Sequence, residues 1–141
     1  MISKTNEIGL IGEQSIILAF IRHGFQVAVL VGNNARYDMV VEKDGRFIRV
    51  QVKTTREVKD GTMIFATSKS NPYKRTAIRY DKTEIDCFAF YCIENGYMGL
   101  MPVADFIPKQ TNIRVDKPKN NQNSKIHYAE DFEFERMIDR I

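Results

Sequence analysis

The feature of the sequence that most constrains its fold is a hairpin signal in residues 37–54. Asp44-Gly45 separates two runs rich in apolar residues, 37–43 and 46–54, and this dipeptide is a strong signal for two antiparallel strands. Side chains on a strand alternate between its two faces. The second strand therefore directs apolar side chains to the core and polar side chains to the opposite face: Ile48, Val50 and Val52 against Arg49, Gln51 and Lys53.

The segments around the hairpin predict a mixed α/β sheet in a single domain, residues 1–141. The first helix spans residues 5–23, with an apolar periodicity that places four residues on its buried face: Leu10, Gln14, Ile17 and Ile21. A second hairpin comprises residues 86–93 and 97–101. Further strands are predicted at 25–31, 63–67 and 112–115, with a loop and a short helix at 68–82.

Towards the C-terminus the sequence predicts one turn of helix at 102–107 and a helix at 129–141. The second of these carries an apolar stripe of four residues: Phe134, Met137, Ile138 and Ile141. Between them, residues 116–124 are polar, and we expect them to be mobile.

The chain of 141 residues, with 43% hydrophobic content, can bury a core without disulfides or a structural metal. Cys87 and Cys92 would point to opposite faces of one strand, so they cannot bridge each other and indicate buried free thiols. Buried free thiols are typical of a reducing compartment. The N-terminus lacks a signal-peptide pattern, and the apolar runs, such as 16–21, are too short to span a bilayer. We therefore expect a cytoplasmic protein.

Basic residues are concentrated in two segments, although the net charge is only +3. Residues 69–82 contain five of them: Lys69, Lys74, Arg75, Arg79 and Lys82. Residues 109–125 contain another five: Lys109, Arg114, Lys117, Lys119 and Lys125. Such segments suit contact with phosphates, although solvated loops also produce them.

The polar face of the hairpin suits metal-dependent hydrolysis of a phosphodiester. Mg²⁺ prefers oxygen ligands, which Asp38, the Gln51 side chain and the Val52 carbonyl could supply. Lys53 would orient or help to deprotonate the attacking water and stabilise the transition state. Glu13, on the first helix, would hold a water of the cation or bind a second ion. Taken alone, however, any half-solvated antiparallel strand presents a similar polar face.

Together with their surroundings, these residues resemble the PD-(D/E)XK nuclease superfamily. The likeness covers roughly residues 7–107 in order: Gly12-Glu13-Gln14, the strand after Gly24, Tyr37-Asp38-Met39-Val40-Val41, Val50-Gln51-Val52-Lys53-Thr54-Thr55 and the strand pair beginning Asp86-Cys87-Phe88. It implies a restriction-endonuclease-like core with flanking helices. It also implies four catalytic positions, namely the motif's first Asp, its second acidic position, its Lys and the helix Glu: Asp38, Gln51, Lys53 and Glu13.

Two positions depart from the usual motif of this superfamily. Tyr37 replaces a Pro, which has little chemical weight, whereas Gln51 replaces an Asp or Glu and removes one negative charge from the metal site. Metal affinity should then be lower, and Glu13 more important. The Gln variant is similar to that of the small group I intron-encoded homing endonucleases, whose core is shared with Holliday-junction resolvases.

The resemblance therefore implies a homing-type endonuclease that cuts double-stranded DNA with Mg²⁺, or with Mn²⁺ in its place, and leaves 5′-phosphate and 3′-hydroxyl ends. Cutting both strands implies at least a homodimer, and the resemblance allows a homotetramer. Base readout would come from residues 54–82 and 109–125. We expect DNA contacts from five residues in particular: Lys69, Lys74, Arg75, Arg79 and Arg114. No organic cofactor is expected.

Three alternatives share part of this pattern. A Holliday-junction resolvase would perform the same chemistry on a branched substrate whose shape it reads. A restriction-type nuclease would be encoded beside a methyltransferase. A non-catalytic DNA-binding module would keep the fold and bind DNA without metal or cleavage. His23 and His127 are isolated in the sequence and indicate neither a zinc site nor a catalytic triad.

Overall fold

The computed structural model of the chain describes residues 3–32, 34–70, 73, 76–116 and 126–141. Within these ranges the helices are α1 (Lys4–Arg22) and α2 (Phe134–Met137), and a 3-10 turn spans Ala129–Phe132. The strands are β1 (Gln26–Val29), β2 (Met39–Lys43), β3 (Arg46–Thr55), β4 (Thr62–Ala66), β5 (Ser68–Ser70), β6 (Ala77–Arg79), β7 (Cys87–Cys92), β8 (Met98–Pro102), β9 (Gln110–Arg114) and β10 (His127–Tyr128). No helix in the described ranges has both the length and the apolar character needed to cross a membrane.

The central layer is a five-stranded sheet in the order β1-β2-β3-β7-β8. Neighbouring strands are antiparallel except β3 and β7, which run parallel. The predicted hairpin is confirmed, because β2 and β3 pair across Asp44-Gly45. Both turn residues have positive φ angles, 55° and 79°, as a tight two-residue hairpin turn requires. The apolar side of β3 is also buried as predicted, with Val50 fully inaccessible to solvent.

Two hydrophobic clusters lie on opposite faces of this sheet. On one face, α1 packs against β3 and α2 against β8, and the rings of Phe20 and Phe134 meet at 5.0 Å between centroids. On the other face, a three-stranded sheet in the order β10-β9-β4 covers β7, where Phe65 and Phe90 meet at 4.5 Å. The described residues thus form a mixed α/β fold in which helices, central sheet and small sheet are stacked as layers.

The two cysteines confirm the predicted alternation along β7. Cys87 belongs to the cluster under α1, whereas Cys92 belongs to the cluster under the small sheet. Both are buried free thiols, and burial raises the pKa of Cys87 to about 12. These thiols therefore act as core side chains.

The buried face of α1 differs from the predicted one. Leu10 and Ile21 are 45% and 54% exposed and Gln14 is exposed, while Ile17 packs at the edge of the core. The buried residues of α1 are small or lie one position away from those predicted: Gly12, Ile16, Ala19 and Phe20. Because the helix is apolar on both sides, periodicity alone does not identify the inner face.

Gly12 explains why this side of α1 faces the sheet. A Cβ atom at this position would fall 1.8 Å from Oγ1 of Thr54 on β3. Only glycine permits so close an approach of helix and strand. The residue that follows, Glu13, is thereby held beside the end of β3.

Three further predictions are corrected by the structure. The sequence predicts a loop and a short helix at 68–82, but β5 and β6 pair there as a hairpin. Residues 102–107 form no helix, because the chain stays irregular after β8 and carries Ile107 into the second cluster. The C-terminal helix is shorter than predicted, since Glu133 has an extended backbone (φ −53°, ψ 138°) between the 3-10 turn and α2.

Other predictions near the C-terminus stand as follows. Three residues of the predicted stripe are buried and the fourth packs against the same cluster: Phe134, Met137, Ile138 and Ile141. The strand predicted at 112–115 begins slightly earlier, as β9. The expected mobility of 116–124 concerns residues that lie, from 117 onward, outside the described ranges.

Candidate active site

A cleft of about 610 Å³ opens at the start of β2, where one edge of β3 is left uncovered. The β2–β3 ladder stops at the Met39–Val50 pair, so the following residues of β3 lie beyond it. Four side chains predicted to be catalytic line this cleft together: Glu13, Asp38, Gln51 and Lys53. Packing of α1 on the sheet brings them together from three separate segments.

Asp38 is held just before β2 by two hydrogen bonds to β3. Its backbone N–H donates to the Val50 carbonyl, and its Oδ2 accepts from the Val52 N–H, both at 2.8 Å. Carbonyls two residues apart on a strand point to the same side, so the Val52 carbonyl points towards the Asp38 side of β3. The Val52 side chain itself is buried in the core. The backbone of Val52 thus lies against Asp38, and its role as a ligand through the carbonyl stays a prediction.

Glu13 and Asp38 are half-buried carboxylates that repel each other. Burial, followed by the charge of Asp38, raises the pKa of Glu13 above its ordinary value. Burial also raises the pKa of Asp38, although the Val52 N–H and the charge of Lys53 act in the opposite direction. Among the described residues, neither carboxylate forms an ion pair. A cation placed between them would relieve this cost of burial.

The donor atoms in the cleft fit a hard divalent cation. Asp38, the Gln51 amide and the Val52 carbonyl would supply oxygen ligands, and Glu13 lies beside them. In the part of the chain that the structure describes, no three His, Cys, Asp or Glu side chains cluster in a way that could hold a metal. A cation here would therefore complete its coordination with water, which Mg²⁺ does readily.

Lys53 is fixed beside these carboxylates by a carbonyl and an aromatic ring. Its Nζ donates to the Ser68 carbonyl at 3.3 Å and lies 4.8 Å from the centroid of the Tyr80 ring. Burial lowers the pKa of Lys53, against the opposing effect of Asp38. Burial raises the pKa of Tyr80 to about 12, so this phenol stays protonated. A half-buried lysine with a lowered pKa can exchange a proton more readily than an exposed one.

Arg36 is a cleft residue that the sequence did not reveal. Its guanidinium lies 4.7 Å from the same Tyr80 centroid, donates to the Arg79 carbonyl at 2.8 Å and pairs with Glu84 at 3.0 Å. Arg36 and Tyr80 both line the cleft, yet they are far apart in sequence. The only sequence signals were a cation two residues before Asp38 and a tyrosine within a basic segment, and neither indicates that the two side chains meet.

The predicted DNA contacts are distributed unevenly around the cleft. Lys69 is exposed and lines it. Arg79, on β6, instead stacks 4.8 Å from the Phe106 centroid. Arg114, on β9, bonds the Asp116 carbonyl and is absent from the described cleft lining. Five other basic residues of the two segments lie outside the described ranges: Lys74, Arg75, Lys117, Lys119 and Lys125.

The comparison with protein families agrees with this geometry. A family model described as PD-(D/E)XK endonuclease matches residues 3–135. The chain belongs to the PD-(D/E)XK endonuclease family. Membership supports nuclease activity, and nucleases of this family generally use divalent metal ions.

The comparison with solved structures concerns the fold. The structure of the bacterial homing endonuclease I-Ssp6803I is similar to this chain with a TM-score of 0.75, over 96% of this chain and 93% of that chain. Sequence identity is 18%. The likeness confirms the predicted restriction-endonuclease-like core. No curated protein matches the chain.

Proposed function

We propose that this PD-(D/E)XK endonuclease is a homing-type enzyme that cuts double-stranded DNA at a specific site with Mg²⁺. The observation that carries the proposal is that four predicted catalytic residues line one cleft: Glu13, Asp38, Gln51 and Lys53. The two carboxylates among them form no ion pair with the described residues, and burial raises the pKa of both. The neutral residue at position 51 and the likeness of fold to a bacterial homing endonuclease support the homing branch.

In this proposal the cation is held by Asp38, by the Gln51 side-chain oxygen and by the Val52 carbonyl, with Glu13 beside them. When bound, a divalent cation supplies neutralisation of phosphate charge and activation of water. The hydrogen bond from the Val52 N–H fixes the Asp38 carboxylate before substrate arrives, so little reorganisation is needed.

Lys53 has the second chemical role. Its Nζ, placed by Ser68 and Tyr80, donates hydrogen bonds to a phosphate oxygen or accepts the proton of the attacking water. Lys69, exposed at the cleft, neutralises a neighbouring phosphate of the DNA backbone.

Cleavage of a duplex requires two such clefts, because one cleft cuts one strand. A homodimer with a two-fold axis would present them to the two strands of a quasi-palindromic target. A homotetramer would repeat this arrangement. Base readout would come from residues 54–82 and 109–125, with arginines contacting guanines.

The test is cleavage of a plasmid library with purified protein and Mg²⁺, beside four-way junctions of unrelated sequence. Cutting at one defined linear site supports the proposal, whereas preference for junctions favours a resolvase. Absence of nicking with every substrate contradicts nuclease function. Lys53→Ala and Asp38→Ala should each abolish cleavage, and intact cleavage in either variant contradicts the assigned role.

The role of Gln51 as a ligand has its own test. Gln51→Glu should retain or tighten Mg²⁺ binding, measured by titration calorimetry, because it restores the missing negative charge. Gln14→Glu is the matched control, since Gln14 lines the same cleft from α1 and gains the same charge. Weaker binding by Gln51→Glu, or an equal gain in both variants, contradicts direct ligation by residue 51.

A further inference from the structure

Helix α1 is apolar on the side that faces away from the sheet. Four large apolar side chains lie there, between 39% and 54% exposed, and together they form the outward stripe: Leu10, Ile11, Leu18 and Ile21. The buried residues of α1 lie on the opposite side of the helix. A surface helix of a globular protein normally carries polar residues outward, and a helix that is apolar all round is normally buried. The outward stripe is therefore typical of a contact surface.

Charged residues stand at the two ends of the outward stripe. Glu7 precedes it and Arg22 follows it, and both are exposed. Neither forms an ion pair within the described ranges. Two pairs of residues share one midpoint between residues 14 and 15: Glu7 with Arg22, and Ile11 with Leu18.

We propose that the outward stripe is the surface through which two copies of this chain associate, with α1 packed antiparallel against α1 of the second copy. A two-fold axis at the shared midpoint puts Ile11 of each copy against Leu18 of the other. It also puts Glu7 against Arg22 twice. Parallel packing would instead oppose like charges at both ends of the stripe.

That the partner is a second copy of this chain rests partly on the proposed function, because duplex cleavage requires two clefts. The stripe also lies next to the cleft: exposed Gln14, the polar residue between Ile11 and Leu18 on this side of α1, and the neighbouring Ile17 are part of the cleft lining. Association here would bring the second cleft close to the first. A two-fold contact uses each stripe residue twice, so one substitution acts twice on affinity.

The first experiment measures molecular mass by sedimentation equilibrium across protein concentrations, without DNA. We expect a dimer for the wild type and, for Leu18→Glu, a dissociation constant raised about 100-fold. Leu18 is 47% exposed, so the change leaves the core intact. Phe106→Glu is the control, because Phe106 is 64% exposed and precedes Ile107, which packs on the other face of the central sheet. This variant should remain dimeric.

A charge exchange tests the antiparallel orientation. Glu7→Arg and Arg22→Glu should each weaken the dimer about tenfold, because each places like charges opposite each other twice. The double variant restores both pairs and should return to the wild-type dissociation constant. Single variants that leave association unchanged contradict the antiparallel arrangement.

The outcomes separate this surface from the proposed function. A monomeric wild type, or a Leu18→Glu variant with unchanged mass, overturns the surface even if DNA is cut. A dimer that responds as expected but nicks no DNA leaves the surface standing and contradicts the nuclease assignment. When both hold, Leu18→Glu should still nick single strands but lose double-strand cleavage at protein concentrations where the wild type is dimeric.

Discussion

Two aspartates are attached to β3 in the same way and yet differ in electrostatic state. Asp38 stands just before β2 and accepts the Val52 N–H at 2.8 Å, and Asp86 stands just before β7 and accepts the Arg49 N–H at 2.7 Å. Each aspartate oxygen thus accepts a hydrogen bond from β3 at a position that the neighbouring strand does not reach, because that strand begins one residue later. The local backbone geometry alone therefore does not tell the two aspartates apart.

The difference lies in the cations beside them. The Arg49 guanidinium donates hydrogen bonds to both carboxylate oxygens of Asp86, at 2.9 and 3.0 Å, and these bonds lower the pKa of that carboxyl. Asp38 has no ion pair among the described residues, and burial raises its pKa. The charge of Asp86 is thus neutralised by Arg49, whereas the charge of Asp38 remains available to a cation. The comparison supports the proposed role of Asp38 as a cation ligand and predicts a structural role for Asp86.

The strongest test of this comparison is Asp38→Asn, which keeps an oxygen for the Val52 N–H but removes the charge. We expect cleavage of plasmid DNA to fall on the order of 10³-fold, because the cation loses its charged ligand. Thermal stability should stay equal or rise slightly, since the carboxylate is ionised at a cost in the folded state. A loss of about 1 kcal/mol would instead indicate that Asp38 stabilises the fold as Asp86 does.

The matched variant is Asp86→Asn, assayed on the same DNA. It should cleave within about threefold of wild type, because Asp86 contacts Arg49 and the start of β7 rather than the described cleft lining. A loss as large as that of Asp38→Asn would remove the functional distinction between the two.

The second test is the effect of Mg²⁺ on thermal unfolding. At a concentration tenfold above its dissociation constant, Mg²⁺ should stabilise the wild type by about 1.4 kcal/mol, since it binds only the folded state. Asp38→Asn should show little of this effect, whereas Asp86→Asn should retain it. The gain should also shrink as the pH falls towards the raised pKa values of Glu13 and Asp38, because protons compete with the cation.

The third test concerns the stability that Asp86 contributes. Asp86→Asn should lower the free energy of unfolding by about 1 kcal/mol at neutral pH. The loss is this small because the Asp86 side chain is 41% exposed, so water screens its attraction to Arg49. The pKa of Asp86 is lowered by folding, so its contribution is complete above the ordinary value of 3.8 and is lost as the pH falls through the folded value. Urea titrations of both proteins at neutral and acid pH would measure the difference.

The smallest effect is the opposite pH dependence of Asp38 in protein kept free of divalent cations. Its pKa is raised by folding, so its favourable contribution is complete below the ordinary value of 3.8 and is lost as the pH rises through the folded value. Wild type should therefore lose stability relative to Asp38→Asn as the pH rises towards neutrality. A difference that changed in the same direction as that of Asp86 would contradict the burial argument.

The sequence was informative where local rules act alone. Alternation along residues 46–54 and the Asp44-Gly45 turn defined β2 and β3, and the spacing of Asp38, Gln51 and Lys53 followed from them. The inner face of α1 was not predictable in this way. Both sides of the helix are apolar, and the side that packs inward is chosen by the small residues Gly12 and Ala19.

Tertiary contacts explain what the sequence did not indicate within the cleft. Tyr80 supports Lys53 and Arg36 only because β5 and β6 fold back as a hairpin, in a basic stretch where strands are not expected. Asp86 was placed inside a predicted strand, whereas it stands before β7 and pairs with Arg49. Such contacts depend on which elements become neighbours, and a local pattern does not carry that information.

The close approach at Gly12 has a consequence for how this protein can evolve. The position carries no functional group, yet the next residue is Glu13, and the distance from α1 to β3 is set by the missing side chain against Thr54. Any larger residue there requires α1 or Thr54 to shift, and a shift of α1 moves one wall of the cleft. We therefore expect selection for activity to conserve the glycine at position 12. Substitutions in the core should be tolerated more readily around Phe65 and Ile113, on the far side of the central sheet.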